Sequence, residues 1–308
     1  MVRSSKWIKG LTPDQPLTEA ARRAFRERLK TVWYYVPLAA KKCEEDIEYV
    51  HQLRVATRRA RAALQIFADV LPKREARWMK NTLRGLRQAA GDARDLDVLG
   101  ERLGKIAKEK KGSHLGSIVK QVAARRQKAQ KPLAARYKKA KRKGFKKRSR
   151  ALARAVRWHN NQREPTFAEA ARRTLAPLVD AFVAAAEADL SDIKALHRMR
   201  VAGKQVRYAM ELLARAFDDS FRGELYATFE EVQEKLGTTN DHATAIATFN
   251  EWVQRADSDG TRAELAELIV NEEKQLNAKC HEFRDWWTAE RATEVAQNFA
   301  KVFQSSVS

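Results

Sequence analysis

The chain has 308 residues, of which 61 are Lys or Arg and 39 are Asp or Glu, so its formal net charge is +22. With 32% charged residues but only 12 Gly and 7 Pro, the composition favours long helices and excludes turn-rich β, collagen-like and wholly disordered classes. The two cysteines, Cys43 and Cys280, are too few for a disulfide framework or a zinc cluster, so we expect a reducing compartment.

The positive charge is concentrated in the first half of the chain. Residues 1–150 hold 41 basic and 14 acidic side chains, whereas residues 151–308 hold 20 and 25. Residues 101–150 alone hold 20 basic and 2 acidic side chains. A field of this size attracts polyanions and makes their binding sensitive to salt. A solubility function or a flexible basic arm is the alternative interpretation.

The sequence repeats itself at a spacing of about 150 residues. LTEAARR at 17–23 is matched by FAEAARR at 167–173, and HQLRVA at 51–56 is matched by HRMRVA at 197–202. This period is too long for a solenoid and predicts a duplicated helical bundle with pseudo-twofold symmetry. We predict an N-terminal tail over 1–16, a first half over 17–160, a second half over 161–290 and a C-terminal helix or tail over 291–308.

Hydrophobic periodicity and capping residues predict five helices in each half. We predict them over 18–40, 47–68, 74–90, 92–110 and 114–158 in the first half, and over 166–190, 192–216, 220–236, 238–255 and 262–287 in the second. Gly91 and Gly237 stand between predicted helices, where we expect the left-handed conformation that glycine favours. Asp92 and Thr238 follow them as expected N-caps.

The second predicted helix of each half carries cationic side chains along one face. At about 100° per residue they form a first row of His51, Arg54, Arg58 and Arg61, and a second row of His197, Arg200, Lys204 and Arg207. Apolar residues occupy the opposite side of both helices, so we expect that side to pack and each row to be displayed over about 15 Å. Within these faces no carboxylate at i±3 or i±4 neutralises the row, so the cations are expected to repel one another.

An anion that bridged these cations would relieve their repulsion. Arg offers a planar fork for phosphate oxygens and His a directed N–H. A solvated basic face is the simpler interpretation, but the row occurs twice and each copy begins with a histidine, which is a poor choice for solubility alone. If the halves face each other, the two rows would line one channel, which suits a polymer carrying a phosphate at every step. The rows contain no carboxylate or cysteine, which argues against a metal ion among them.

At this point the sequence resembles a known family. The stretch HQLRVATRRAR at 51–61, its second copy at 197–207 and GDARDLDVL at 91–99 are similar to the CHAD domain, the conserved histidine α-helical domain. The resemblance covers about residues 17–290 and implies an all-α fold of two pseudo-twofold-related helical-bundle halves with a basic central groove or pore. It also implies non-enzymatic binding of inorganic polyphosphate through both rows and, in bacteria, association with polyphosphate granules. The second copy has GKQ at 203–205 where the first has TRR at 57–59, so it is weaker by one cation.

Further cations are secondary candidates for polyphosphate binding, with ordinary surface charge as the alternative. They are Arg22, Arg23, Arg172, Arg173, Lys120, Arg125, Arg126 and Lys128. The cluster KKAKRKGFKKRSR at 138–150 contains Gly144 and is interpreted as a mobile arm rather than a formed site. Asp95 and Asp241 would repel phosphate, so we interpret them as helix caps or as groups that orient a nearby Arg or His.

Signals of catalysis and of membrane insertion are missing from the sequence. It contains no HExxH, no GxSxG and no GxGxxG after a strand. We therefore expect no enzyme activity, no cofactor and no metal. The alternatives are a nucleic-acid-binding helical protein that uses residues 101–150, and polyphosphate hydrolysis or transfer; otherwise nucleic acid is expected only as a weaker, non-specific polyanion. Since no signal peptide and no run of eighteen apolar residues occur, we expect a cytoplasmic protein without a membrane partner. Association with polyphosphate granules is implied by the resemblance alone.

Overall fold

The chain folds into helices that pack into a bundle. A computed structural model describes residues 5–109 and 113–304, and within these residues there is no β-strand, which confirms the all-α prediction. The helices of the described residues are α1 (Leu17–Lys41), α2 (Glu48–Ile66), α3 (Lys73–Ala89), α4 (Gly91–Glu109), α5 (Gly116–Arg142), α6 (Phe145–Arg154), α7 (Phe167–Ala186), α8 (Ile193–Leu213), α9 (Tyr226–Val253), α10 (Asp259–Trp286) and α11 (Ala289–Gln304). A π-helical turn, Phe221–Leu225, leads into α9.

Two hydrophobic cores hold the helices together. The larger core unites α1, α2, α3 and α6 with α7, α8, α9 and α11, and buries large side chains such as Phe25 and Phe229. A smaller core joins α4, α5, α9 and α10 through Leu103, Ile118 and Phe249. Each such large apolar side chain contributes about 1.5–3 kcal/mol on full burial. None of the helices in the described part of the chain is long and apolar enough to cross a bilayer.

The first helices of the two repeats start side by side. A pair of backbone hydrogen bonds, from Leu17 N to Pro165 O and from Phe167 N to Gln15 O, ties the segments that precede α1 and α7. Helix α7 then starts with a capping box, in which Thr166 Oγ1 accepts from the backbone N–H of Glu169 and the Glu169 carboxylate accepts from the backbone N–H of Thr166. These local contacts fix where both helices begin.

The second half contains one long helix where two were predicted. Gly237 lies inside α9, and the hydroxyl of Thr238 donates to the carbonyl of Lys235, one turn earlier, instead of capping a new helix. The predicted left-handed glycine at 237 is therefore wrong. The buried neighbours Leu236 and Thr239 pack on both sides of the glycine, and this burial outweighs the cost of about 1 kcal/mol of glycine within a helix.

The first half departs from prediction at its own glycines. Gly91 is the first residue of α4 and has no positive φ, so the predicted left-handed conformation is wrong there too. Gly144 does adopt it, with φ of 72°, and divides the predicted helix over 114–158 into α5 and α6. The basic segment 138–150 is therefore helical on both sides of Gly144, with Ala140 and Phe145 buried in the core, and does not form a mobile arm.

Candidate functional site

The first row lies on α2 as the periodicity predicts. The helix buries Val50, Leu53, Ala56 and Ala60 against the core. The four side chains of the first row lie on the other side of the helix. All of them are half-buried; they are His51, Arg54, Arg58 and Arg61. Partial burial matters because it removes water that would otherwise weaken the repulsion among these charges.

The second row lies on α8, and its four members differ in how far they are exposed to solvent. Arg200, Lys204 and Arg207 are half-buried, whereas His197 is exposed. Gly203 is buried in the same helix, and a methyl group there would lie 2.4 Å from Gln233 Nε2 and 3.2 Å from the Phe182 ring. This close approach of α8 to its neighbours explains why the second copy has glycine where the first has Thr57.

The two rows meet at Arg58. Helix α2 contacts α8 directly, and Arg58 Nη1 lies 3.4 Å from the hydroxyl oxygen of Tyr208, to which it donates. The charge of Arg58 also lowers the pKa values of both Arg200 and Lys204, although it comes from the other half of the chain. The helices thus bring cations from both copies into one electrostatic cluster.

Lys204 experiences this cluster most strongly. Burial, followed by the charges of Arg200, Arg58 and Arg207, lowers the pKa of Lys204 to about 8, while Asp241 partly opposes the shift. An ammonium group surrounded by guanidinium groups loses its proton more easily because each neighbouring positive charge disfavours its charged form. The charged form of Lys204 therefore destabilises the free protein.

His51 is held neutral by its surroundings. Burial lowers the pKa of His51, and the charges of Arg94, Arg58 and Arg54 lower it further, against the opposing effect of Glu48. A histidine normally titrates near pH 6.5, so the lowered pKa leaves the imidazole mostly uncharged at pH 7. A neutral imidazole offers one N–H donor to an anion without adding to the repulsion.

Three arginines outside the predicted rows join the first row. Burial and the charges of Arg87 and Arg84 lower the pKa of Arg61, and Arg94 acts on both Arg54 and His51. Arg84 and Arg87 come from α3 and Arg94 from α4, so the periodicity of the second helix of each half does not predict these positions. The i, i+3 spacing of Arg84 and Arg87 on α3 is the sequence signal that could have predicted these two positions.

Several guanidinium groups of the cluster keep unused donors. The buried Nε atoms of Arg61, Arg87 and Arg200 have no hydrogen-bond partner within the described residues. A buried donor without a partner costs about 1–3 kcal/mol, and more when it is charged. The arrangement can therefore accept a multiply charged anion that supplies oxygen acceptors to several arginines at once.

Arg54 is held close to the start of α4. A methyl group at Gly91 would lie 2.9 Å from Arg54 Nη1, so the glycine leaves space for this guanidinium. Arg54 Nη2 lies 3.7 Å from a carboxylate oxygen of Asp95, whose side chain is 71% exposed. Asp95 thus orients Arg54, one of the two roles predicted for it, without neutralising the buried part of the row.

The end of the second row is neutralised, contrary to expectation. Arg207 Nη1 lies 3.7 Å from Glu211, at i+4, and the Glu211 side chain is only 1% exposed. Although burial acts in the opposite direction, this carboxylate raises the pKa of Arg207 above its ordinary value. Glu211 also accepts from Arg59 Nε at 2.6 Å and from the Tyr226 hydroxyl at 3.1 Å. The prediction that no carboxylate neutralises the row is wrong because it ended the row one turn too early.

The secondary candidates make contacts elsewhere in the fold. Arg22 donates to the carbonyl of Val156, and Arg126 is paired with Asp97. Arg125 lies 4.4 Å from the centre of the Trp252 ring. Arg172 is half-buried, and the other four are exposed: Arg23, Arg173, Lys120 and Lys128. The guanidinium of Arg23 lies 3.9 Å from the carboxylate of Glu27. Arg22, Arg125 and Arg126 therefore have structural contacts of their own, and a role of these eight residues in binding stays a prediction.

Groups suited to metal binding are absent from the part of the chain that the structure describes. No three or more His, Cys, Asp or Glu side chains come together there in a way that could hold a metal ion. His242 instead accepts or donates a hydrogen bond with Glu272 at 2.6 Å, and that carboxylate is also paired with Arg102. Cys43 and Cys280 are both buried and free.

The fold and the site define an all-helical protein in which the cationic faces of two helices meet. The chain belongs to the CHAD domain family, whose profile matches residues 23–250. No curated protein sequence is significantly similar to this chain.

Two solved structures have the same fold. The crystal structure of the CHAD domain from the plant Ricinus communis is 22% identical, covers 91% of this chain and 96% of its own, and superposes with a TM-score of 0.67. PptA from Streptomyces chartreusis is 18% identical, covers 89% of this chain and 99% of its own, and has a TM-score of 0.57. At these identities the likeness establishes the fold.

Proposed function

We propose that this protein binds inorganic polyphosphate without transforming it, and that the first and second rows together hold the polymer. In this proposal the two halves are related by a pseudo-twofold axis, and the rows on α2 and α8 line one basic groove between them. Membership of the CHAD family and the duplicated HxxRVA motif support this assignment.

The observation that carries the proposal is the electrostatic contact between Arg58 and the second row. Arg58 lowers the pKa values of Arg200 and Lys204, so the free protein contains repulsion across the junction of its two halves that Asp241 relieves only in part. Such repulsion destabilises the free protein, and a polyanion at the junction converts it into attraction. A solvated surface face would leave these pKa values near their ordinary range.

A linear phosphate polymer fits the arrangement better than one small anion. The first row covers eleven residues of α2 from His51 to Arg61, about 15 Å along the axis, and the second row covers the same length of α8. Arg84, Arg87 and Arg94 extend the first row onto two further helices. A single phosphate could satisfy only a few of these donors, whereas a chain offers oxygens along the whole groove.

Competition between polyanions tests this function directly. An end-labelled long polyphosphate would be bound at about 0.15 M salt and displaced by unlabelled polyphosphate, duplex DNA or RNA at matched phosphate concentration. We expect unlabelled polyphosphate to displace the label at the lowest concentration. If DNA or RNA displaces it equally well or better, the nucleic-acid alternative through residues 101–150 replaces this proposal.

We further propose that the protein acts in the cytoplasm and is recruited to polyphosphate granules by this groove. The support is the net charge of +22 and the two cationic rows, each about 15 Å long. A fluorescent fusion should concentrate on granules in cells that store polyphosphate and become diffuse when Arg54 and Arg200 are both replaced by alanine. A fusion that stays on granules after that replacement would assign recruitment to another surface.

A further inference from the structure

A long groove between α1 and α6 contains no residue of either row. Its cavity has a volume of about 860 Å³. On α1 the lining extends from Phe25 to Leu38, about 20 Å at 1.5 Å per residue, and on α6 from Lys146 to Arg154. The groove is therefore elongated along the helices.

The floor of this α1–α6 groove is apolar and aromatic. Phe25, Leu29, Trp33 and Pro37 recur at every fourth residue, so they form one stripe along α1. Phe25 and Leu29 are buried at its base, whereas Trp33 and Pro37 are half-buried and offer surface to the groove. The Trp33 ring stacks on Phe145 of α6 with ring centres 5.3 Å apart, which fixes the floor between the two helices. Such a floor is formed before any ligand binds, which reduces the entropic cost of binding.

All charged side chains that line the groove are cationic. Arg26 and Lys30 stand four residues apart on α1, and Lys146, Arg150 and Arg154 stand four residues apart on α6. All five side chains are exposed, and none of them is paired with a carboxylate of the described residues. No acidic side chain lines the groove in the described part of the chain.

We propose that this groove docks an acidic amphipathic helix of a partner protein. Apolar residues at i, i+3, i+4 and i+7 of the partner would lie on the floor, and carboxylates on both flanks of that stripe would face the two cationic rims. A groove of 20 Å accommodates nearly four turns of helix at 5.4 Å per turn. Charge complementarity would set both the choice and the orientation of the partner.

The distribution of charge distinguishes this occupant from others. A fatty acid carries one charged group and needs cations at one end, whereas these cations are spaced about 6 Å apart along both helices. A phosphate polymer would use the rim but has no need of the apolar surface of Trp33 and of Tyr34, which is 42% exposed. A helix with an apolar stripe and flanking carboxylates uses both features.

A synthetic peptide tests the proposal. The probe is a fluorescein-labelled, hydrocarbon-stapled helix of fifteen residues with a leucine stripe flanked by glutamates, measured by fluorescence anisotropy at about 0.15 M salt. A scrambled peptide of the same composition and a peptide with lysine for every glutamate are the ligand controls. We expect saturable one-to-one binding of the patterned acidic peptide and at least tenfold weaker binding of both controls.

Variants locate the binding to the groove. Lys146→Glu with Arg150→Glu changes only exposed charges, so the protein should keep its melting temperature and lose at least tenfold in affinity for the peptide. Arg54→Ala with Arg200→Ala removes cations of the rows and should leave peptide binding unchanged. The proposal is overturned if the scrambled peptide binds equally well, if the rim variant binds normally, or if palmitate saturates the groove while the patterned peptide does not bind.

Discussion

Raising the pH from 7 to 9 should weaken polyphosphate binding because it discharges Lys204. In the free protein the pKa of this ammonium group is about 8, well below its ordinary value of 10.5. The largest cause of this lowered pKa is burial, followed by the charges of Arg200, Arg58 and Arg207. A bound polyanion reverses the effect of these neighbours, so Lys204 should keep its proton to a higher pH in the complex.

The size of the effect follows from proton linkage. With a pKa of about 8, Lys204 is about nine-tenths protonated at pH 7 and about one-tenth protonated at pH 9. If the complex restores the pKa to its ordinary 10.5 or above, the affinity falls about tenfold over this interval, or about 1.4 kcal/mol. Proton uptake on binding should be greatest between pH 8 and 10.5, because there the free form is mostly deprotonated and the complex is not.

Isothermal titration calorimetry at constant ionic strength measures both quantities. Long polyphosphate keeps the contribution of its titrating end groups small, and two buffers of different ionisation enthalpy reveal proton uptake. Lys204→Arg is the matched control, since it restores the residue of the first copy, Arg58, and stays charged throughout this range. The control should bind with little change between pH 7 and 9.

An equal pH dependence in Lys204→Arg and in the wild-type protein would refute this reasoning. The stability of the free protein supplies an independent check on the sign. Because the unfolded chain keeps the Lys204 proton up to about pH 10.5 and the folded chain only to about 8, the folded protein gains stability from this group as pH rises between those values. Lys204→Met should therefore stabilise the free protein at pH 7, by about 1–2 kcal/mol after solvent screening.

Four further outcomes are expected. Lowering the pH from 7 to 5.5 should strengthen binding as His51, whose pKa is lowered in the free protein, becomes charged; His51→Gln should remove this gain. Gly91→Ala should weaken binding several-fold by displacing the adjacent guanidinium, whereas Gly104→Ala, with open space around it, should not. Arg59→Met should lower the free energy of unfolding in urea by about 1–2 kcal/mol, because the buried Glu211 carboxylate loses one partner and keeps Arg207 and Tyr226; an unchanged free energy of unfolding would contradict this. Polyphosphate at a hundred times its Kd should add about 2.7 kcal/mol of stability and raise the melting temperature; an unchanged melting curve would exclude a native-state site.

The helical faces could be predicted from the sequence because they depend on local periodicity. The rows on α2 and α8 follow from spacing alone, and the structure places the arginines and the lysine opposite the packed side of each helix. The meeting of the rows at Arg58 could not be predicted, because it depends on how α2 packs on α8. The neutralisation of Arg207 was within reach of the sequence, because Glu211 stands at i+4 on the same helix face, one turn beyond the last residue of the predicted row.

Glycine was the least informative residue type for predicting this fold. Gly144 ends a helix with positive φ, whereas Gly91 and Gly203 leave space for a neighbouring side chain and Gly237 lies inside a continuous helix. Tertiary packing decides among these uses. Local capping rules therefore cannot tell a glycine that ends a helix from one that is required by a contact with a distant part of the chain.

The measurement that tests the joint action of the two rows most directly is polyphosphate binding by the Arg54→Ala, Arg200→Ala double variant. The matched control is Arg142→Ala with Lys147→Ala, two exposed cations of α5 and α6 that lie outside both rows. We predict that the first variant melts like the wild-type protein, since the Asp95 carboxylate is largely exposed and is not left buried without a partner. We also predict that it loses about 3 kcal/mol of binding free energy, or roughly a hundredfold in affinity. The control should change affinity by less than threefold, and equal losses in the two variants would contradict a shared site between α2 and α8.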